Sequence, residues 1–149
     1  MELFTSLLVL VAGHLSGAYM FYFFHRYIFH GKLGKLPVLK RWRAIHTQHH
    51  RTPEDPGSFF FPWWANIIIW SFAGSLFYLS PVFSLGMFSF FATYAYRHRS
   101  AHQGSETPSA LHHMNHHRKN PLSNFSGTYP FIDRVFGTYD PVPVRVRKK

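Results

Sequence analysis

Twelve histidines and no cysteine set the chemistry open to this chain. Eleven of the histidines fall into four short groups. They are His25 with His30; His46, His49 and His50; His98 with His102; and His112, His113, His116 and His117. Residues three and four apart share a helix face. On helices, His46, His49 and His50 make one imidazole patch, and His113, His116 and His117 repeat it. His98 and His102 also share a face. His25 and His30 are five apart and diverge on an α-helix, so they are expected to serve different metals or to sit where a helix ends. Neutral imidazole suits Zn, Cu, Fe and Ni, and a metal is the economical reason to gather so many. About ten ligands exceed the four to six of one ion and suit two ions of about five each, with positions left for water or oxygen. Without cysteine, thiolate zinc sites, iron–sulfur ligation, disulfides and a cysteine nucleophile are excluded. Carboxylate-bridged bundle sites need Glu-x-x-His pairs. The six acids are Glu2, Glu54, Asp55, Glu106, Asp133 and Asp140, and none stands three residues before a histidine.

The elements that must position these groups follow from where charge is missing. Leu3–Phe24 and Gly57–Tyr96 carry no Asp, Glu, Lys or Arg. About 20 helical residues cross a hydrocarbon layer. The first stretch is therefore one span and the second is two, with a turn near Ser80-Pro81, since proline rarely continues a helix. Period-2 alternation is absent, which counts against a barrel. The N-terminal run starts without Lys or Arg and continues too far for a signal peptide, so it reads as a retained span. The expected architecture is an all-α integral membrane protein. About three transmembrane helices (approximately 3–24, 59–79 and 82–97) carry a histidine-rich helical cap from 30–58 and 98–149, in a single domain over 1–149.

Charge placement gives orientation. The chain has 149 residues, 16 Lys and Arg against 6 Asp and Glu, and a formal net charge of +10. All 16 basic residues lie in 26–51 or 97–149. The positive-inside rule puts both blocks in the cytoplasm and the N-terminus outside. The basic excess is then explained by orientation and by anionic headgroups, so no nucleic-acid partner is expected. Only His14 lies deep in a span, which counts against a metal-transport pathway.

The order of the histidine groups, HX4H, HX2HH, HX3H and HX2HH, resembles the fatty acid hydroxylase and sterol desaturase superfamily of membrane histidine-box oxygenases. Phe24–His30 is similar to the first box. His49-His50-Arg51-Thr52-Pro53, with Phe61-Pro62 after it, is similar to the second and its flank. Asn124-Phe125 and Asp133–Tyr139 resemble the segment that closes the catalytic domain, so the likeness runs over roughly 20–140. The resemblance implies a non-haem di-iron oxygenase with ligands His25, His30, His46, His49, His50, His98, His102, His113, His116 and His117. His14 and His112 are left over, although the fourth box could also start at His112. It implies two Fe, with Zn as a substitute, together with O2 and an external electron donor. No segment resembles a fused cytochrome b5 domain, so a ferredoxin or cytochrome-type reductant is expected. Many members have two full membrane hairpins; here one span is missing, and either it is dispensable or a homo-oligomer covers the gap. A bacterial inner membrane is the expected location.

The implied reaction is hydroxylation of a lipid C–H, fatty acyl or sterol-like. Carotenoid ring hydroxylation and lipid desaturation are the alternatives, and metal handling without catalysis is the alternative from another class. Dense clusters argue against a bis-His haem protein. Candidate walls for an apolar substrate are Phe59–Trp64, Trp70 and Phe88–Tyr96, with Asn124 and Tyr129 as polar pocket residues. Glu54, Asp55 and Asp133 could hold ligating imidazoles from behind, against the plainer reading of helix cap or surface charge.

Overall fold

The structure is a computed structural model that describes residues 2–141; Met1 and the end of the 98–149 block lie outside the described residues. Those residues are helical, with no strand among them. The α-helices are α1 (Glu2–Phe23), α2 (Lys40–Arg51), α3 (Trp63–Ser75), α4 (Pro81–His102), α5 (Pro108–Arg118) and α6 (Pro130–Val135). A π-helical turn, Phe24–Phe29, continues α1. Short 3₁₀ turns at Leu33–Lys35, Pro56–Ser58 and Leu76–Tyr78 fill connections.

Local chemistry sets the helix starts. Ser80 accepts from the Phe83 amide at 3.3 Å with Pro81 in the first turn of α4, and Thr107 accepts from the Ala110 amide at 3.4 Å with Pro108 opening α5. A hydroxyl cap followed by proline satisfies one orphan donor and removes another. The break expected near Ser80-Pro81 is therefore the capped start of α4.

Glu2–Phe29 and Pro56–Tyr78 are long and apolar enough to cross a membrane. They are not core helices: Leu3, Leu7 and Leu8 on one and Ile67, Ile68 and Phe77 on the other face outward. α4 runs against α1 with small residues at the seam. A Cβ on Gly13 would strike the Phe83 carbonyl, and one on Gly86 the Leu10 carbonyl. Close backbone approach through glycine is how helices pack where lipid removes the hydrophobic drive to associate. Below that seam lies the aromatic core of Phe21, Tyr22, Phe29, Phe90 and Phe125, with Ile132 of α6. The ends of α1 and α4 thus emerge side by side, and α2 and α5 close over them.

Candidate metal centre

Ten histidines meet where α1, α2, α4 and α5 converge. They form two groups of five, each with one ligand nitrogen per residue and all such atoms within 4.8 Å of one another. The first cage is His25, His30, His46, His50 and His116. The second is His49, His98, His102, His113 and His117. The cages adjoin: the His50 ring stacks on His117 with centroids 4.2 Å apart.

Helical spacing sorts the ligands. His46 and His50, four apart on α2, enter the first cage, while His49 turns to the second. α5 mirrors this, sending His113 and His117 to the second cage and His116 to the first. Each HX2HH box therefore bridges both cages. His98 and His102 add one turn of α4 to the second cage. The divergence expected of His25 and His30 does not occur. The chain between them is π-helical, and the His30 amide donates to the His25 carbonyl at 3.1 Å. An i to i+5 turn returns the side chain to the same face, so both enter the first cage.

The donor set fits a metal. The His25 Nδ1–H donates to the Phe125 carbonyl and the His116 Nδ1–H to the Ser123 carbonyl, each at 2.6 Å. A carbonyl only accepts, so in a neutral ring each Nε2 is a bare lone pair aimed inward. His46 Nε2 lies 3.0 Å from that of His25, 2.8 Å from that of His30 and 3.0 Å from that of His50. One nitrogen carries at most one hydrogen and cannot satisfy three such neighbours; a cation at their centre satisfies all of them. Both nitrogens of His117 are buried without a partner among the described residues. Imidazole sets of this kind suit Fe or Zn and not the hard cations Mg or Ca.

Burial keeps the rings neutral. It pushes His30 and His49 down to about 3 and His50 to about 4, with neighbouring imidazoles adding to the effect. His46, His113 and His116 are held well below the ordinary histidine range for the same reasons. Such rings are free to ligate at neutral pH.

The leftover histidines are bonded elsewhere. His14 contacts Ser89 Oγ at 2.7 Å and the Tyr129 hydroxyl at 2.6 Å. His112 pairs with Asp133 at 2.9 Å, both fully buried. Geometry therefore brings His113, not His112, into a cage. Asp133 backs His112 and none of the ten. Glu54 pairs with Arg118 at the surface, and Asp55 caps a 3₁₀ turn through the Gly57 amide. These two match the plainer reading.

A cavity of about 110 Å³ opens beside the cages, between α2, α3 and α4. His46, His49 and His98 are among its lining residues. Of the expected walls, Phe59, Phe60, Phe61, Trp70, Phe91 and Tyr94 line it; Phe88 instead stacks behind Trp70 at 5.4 Å. Phe21, Phe29, Trp42, Ile45 and Ile69 also contribute, and Asn66 is a polar member. The pocket role expected of Asn124 and Tyr129 does not hold. Neither lines the cavity: Asn124 is buried in a turn and Tyr129 holds His14. Sequence spacing missed the two backbone carbonyls, because any residue type can supply one, and the wall contributed by α1 and α2, because it depends on how those helices pack against α3 and α4.

Fold and site together define an all-helical protein with two helices able to cross a membrane and two adjoining histidine cages able to hold metal. The chain belongs to the fatty acid hydroxylase family, which it matches over residues 10–138. That family is of lipid hydroxylase and desaturase type, and its members are generally oxidoreductases. No curated protein and no solved structure gives a match.

Proposed function

We propose that this chain is a membrane-bound di-iron oxygenase that hydroxylates a C–H bond of an apolar lipid chain, fatty acyl or sterol-like. The observation that carries the reading is the cavity. Its walls are aromatic and aliphatic, and ligands of both cages line it, His46 of the first with His49 and His98 of the second. The overall balance is R–H + O2 + 2 electrons + 2 protons giving R–OH + H2O, with the electrons from a ferredoxin or cytochrome-type donor. Two iron ions, held by the ten histidines, would supply the reduction of O2 and the oxidation of the C–H bond.

The chain's own residues do the rest. Phe61, Trp70, Phe91 and Tyr94 would hold the apolar chain and keep water from the reacting carbon. Phe125 and Ser123 keep the His25 and His116 protons on Nδ1, leaving Nε2 for metal. α4 would be the third span: its charge-free part, 81–96, rises about 24 Å before the helix continues to His98 and His102. The outward N-terminus and the cytoplasmic cages rest on the placement of the basic residues.

The test is mass spectrometry of total membrane lipids from cells making the wild type or His116→Ala, with oxygen and a reductase supplied. A lipid that gains one oxygen only with the wild type supports hydroxylation and names the substrate. Loss of two hydrogens moves the reading to desaturation. No change in any lipid overturns the oxygenase reading in favour of metal handling.

A further inference from the structure

Asn124 takes no part in the cavity, yet it is fully buried and is the one non-glycine residue with positive φ among the described residues, at 57°. Asparagine is among the few residues that tolerate this left-handed region. Every polar group of Asn124 is bonded. Its amide N donates to the Thr138 carbonyl at 2.8 Å, and its side-chain oxygen accepts from the Asp140 amide at 2.8 Å. Its side-chain NH2 donates to the Asp140 carbonyl at 3.0 Å and to the His112 carbonyl at 3.4 Å. The residue thus straps the 138–140 strand of chain to α5.

The residues on either side of it hold two ligands of the first cage through their carbonyls. Ser123 O takes His116 Nδ1–H and Phe125 O takes His25 Nδ1–H. His116 comes from α5 and His25 from the turn that ends α1, so residues 123–125 tie together ligands from two separate elements. The Phe125 ring packs on His25, His30 and His116 with centroids 5.6–5.7 Å away. A left-handed residue between Ser123 and Phe125 reverses the chain locally and lets both carbonyls face one cage.

We propose that Asn124 is a positioning residue for the first metal cage only: its left-handed turn and side-chain straps aim the Ser123 and Phe125 carbonyls at His116 and His25. This rests on the reading that each cage binds a metal ion. The second cage receives no hydrogen bond from residues 123–125. Loss of a partner that orients a ligating imidazole typically weakens metal binding about 10- to 100-fold, and here the loss falls on one ion of two.

The experiment is a Co²⁺ titration of the full chain in detergent, read by the visible spectrum and by bound metal per chain. Wild type should bind two ions. Asn124→Ala should weaken one of them about 10- to 100-fold and leave the other within twofold. Asn124→Gly, which keeps the left-handed backbone but drops the straps, should weaken the same ion by less. Adding Asn124→Ala to His25→Ala should cost nothing further, since both act on one cage. In wild type, ¹⁵N-histidine spectra should show two strongly bonded Nδ1–H protons that shift in Asn124→Gly, a readout available even where the alanine variant fails to fold. A wild type that binds fewer than two ions overturns the two-cage reading and the clamp with it. A wild type that binds two, with variants that weaken both ions equally or neither, overturns the clamp alone.

Discussion

The two cages hold the same number of imidazoles but are supported by different backbone. In the first, two Nδ1–H groups are fixed by carbonyls at 2.6 Å, and both carbonyls sit in the strapped turn around Asn124. In the second, the support is looser. His98 and His102 face the Phe59 and Pro53 backbone, but their Nδ1 atoms form no hydrogen bond of good geometry. His113 Nδ1 is buried without a partner among the described residues, and His49 Nδ1 reaches only Ser58 Oγ, at 3.3 Å. The groups behind the second cage thus belong to the 52–61 connection, which also forms a wall of the cavity through Ser58, Phe59, Phe60 and Phe61. Ligand count alone would make the cages equal. Their outer partners fix two ligands of the first on backbone carbonyls and leave the second backed by a wall of the cavity.

The largest effect that could break this comparison is removal of one ligand. His46→Ala or His116→Ala should empty the first cage, and His49→Ala or His113→Ala the second. Each should lower bound metal from about two ions to about one per chain and abolish lipid oxidation. Metal analysis of the four purified variants checks this; loss of both ions from a single replacement would show that the cages stand or fall together. Next in size is the order of metal loss. A chelator should strip the chain in two phases, with the second cage emptying about ten times faster or more, in line with the worth of outer-shell bonds. Repeating the measurement with His25→Ala and His113→Ala assigns each phase. A single phase in wild type would erase the distinction drawn from Nδ1 bonding.

Much of this site was legible because imidazole clusters and helix periodicity are both local signals. HX2HH and HX3H place ligands on known faces, and charge-free runs marked α1, α3 and most of α4. The split of His49 from His46 and His50 was not legible, because it depends on where α4 and α5 lie against α2. Nor was the convergence of His25 and His30, which a π turn brings about and an α-helical wheel denies. The carbonyls of Ser123 and Phe125 were invisible for a further reason: any residue type can supply a carbonyl, and only the Asn124 turn aims them. His14 and His112 fall outside both cages, and their partners, Tyr129 and Asp133, lie far along the chain.

Smaller effects sharpen the electrostatic side of the comparison. In the unfolded chain histidine titrates near 6.5, whereas His30 and His49 stay neutral down to about 3 and His50 to about 4. Between those values the unfolded state binds more protons, so acid favours unfolding. Stability of the metal-stripped chain is fully present above about pH 6.5 and should erode as pH falls from 6.5 towards 4. Thermal unfolding at pH 7.5 and 5 checks it. The fall should shrink when His30 and His50 are replaced by Leu; a Tm independent of pH would mean that these rings are not kept neutral by the fold.

The smallest effect is expected where a histidine is held by side chains and not by a cage. His14 bonds Ser89 and Tyr129 and touches none of the ten. It joins α1 to α4 and to the start of α6. His14→Ala should leave two metal ions bound and both chelation phases unchanged. It should cost about 1–2 kcal/mol of stability, the ordinary net worth of two hydrogen bonds in a half-buried setting. Metal content and a thermal melt decide it together. Loss of an ion would bring His14 into the metal site. Unchanged metal with a modest fall in Tm would show that a histidine's partners, and not its residue type, decide whether it serves the metal or the fold.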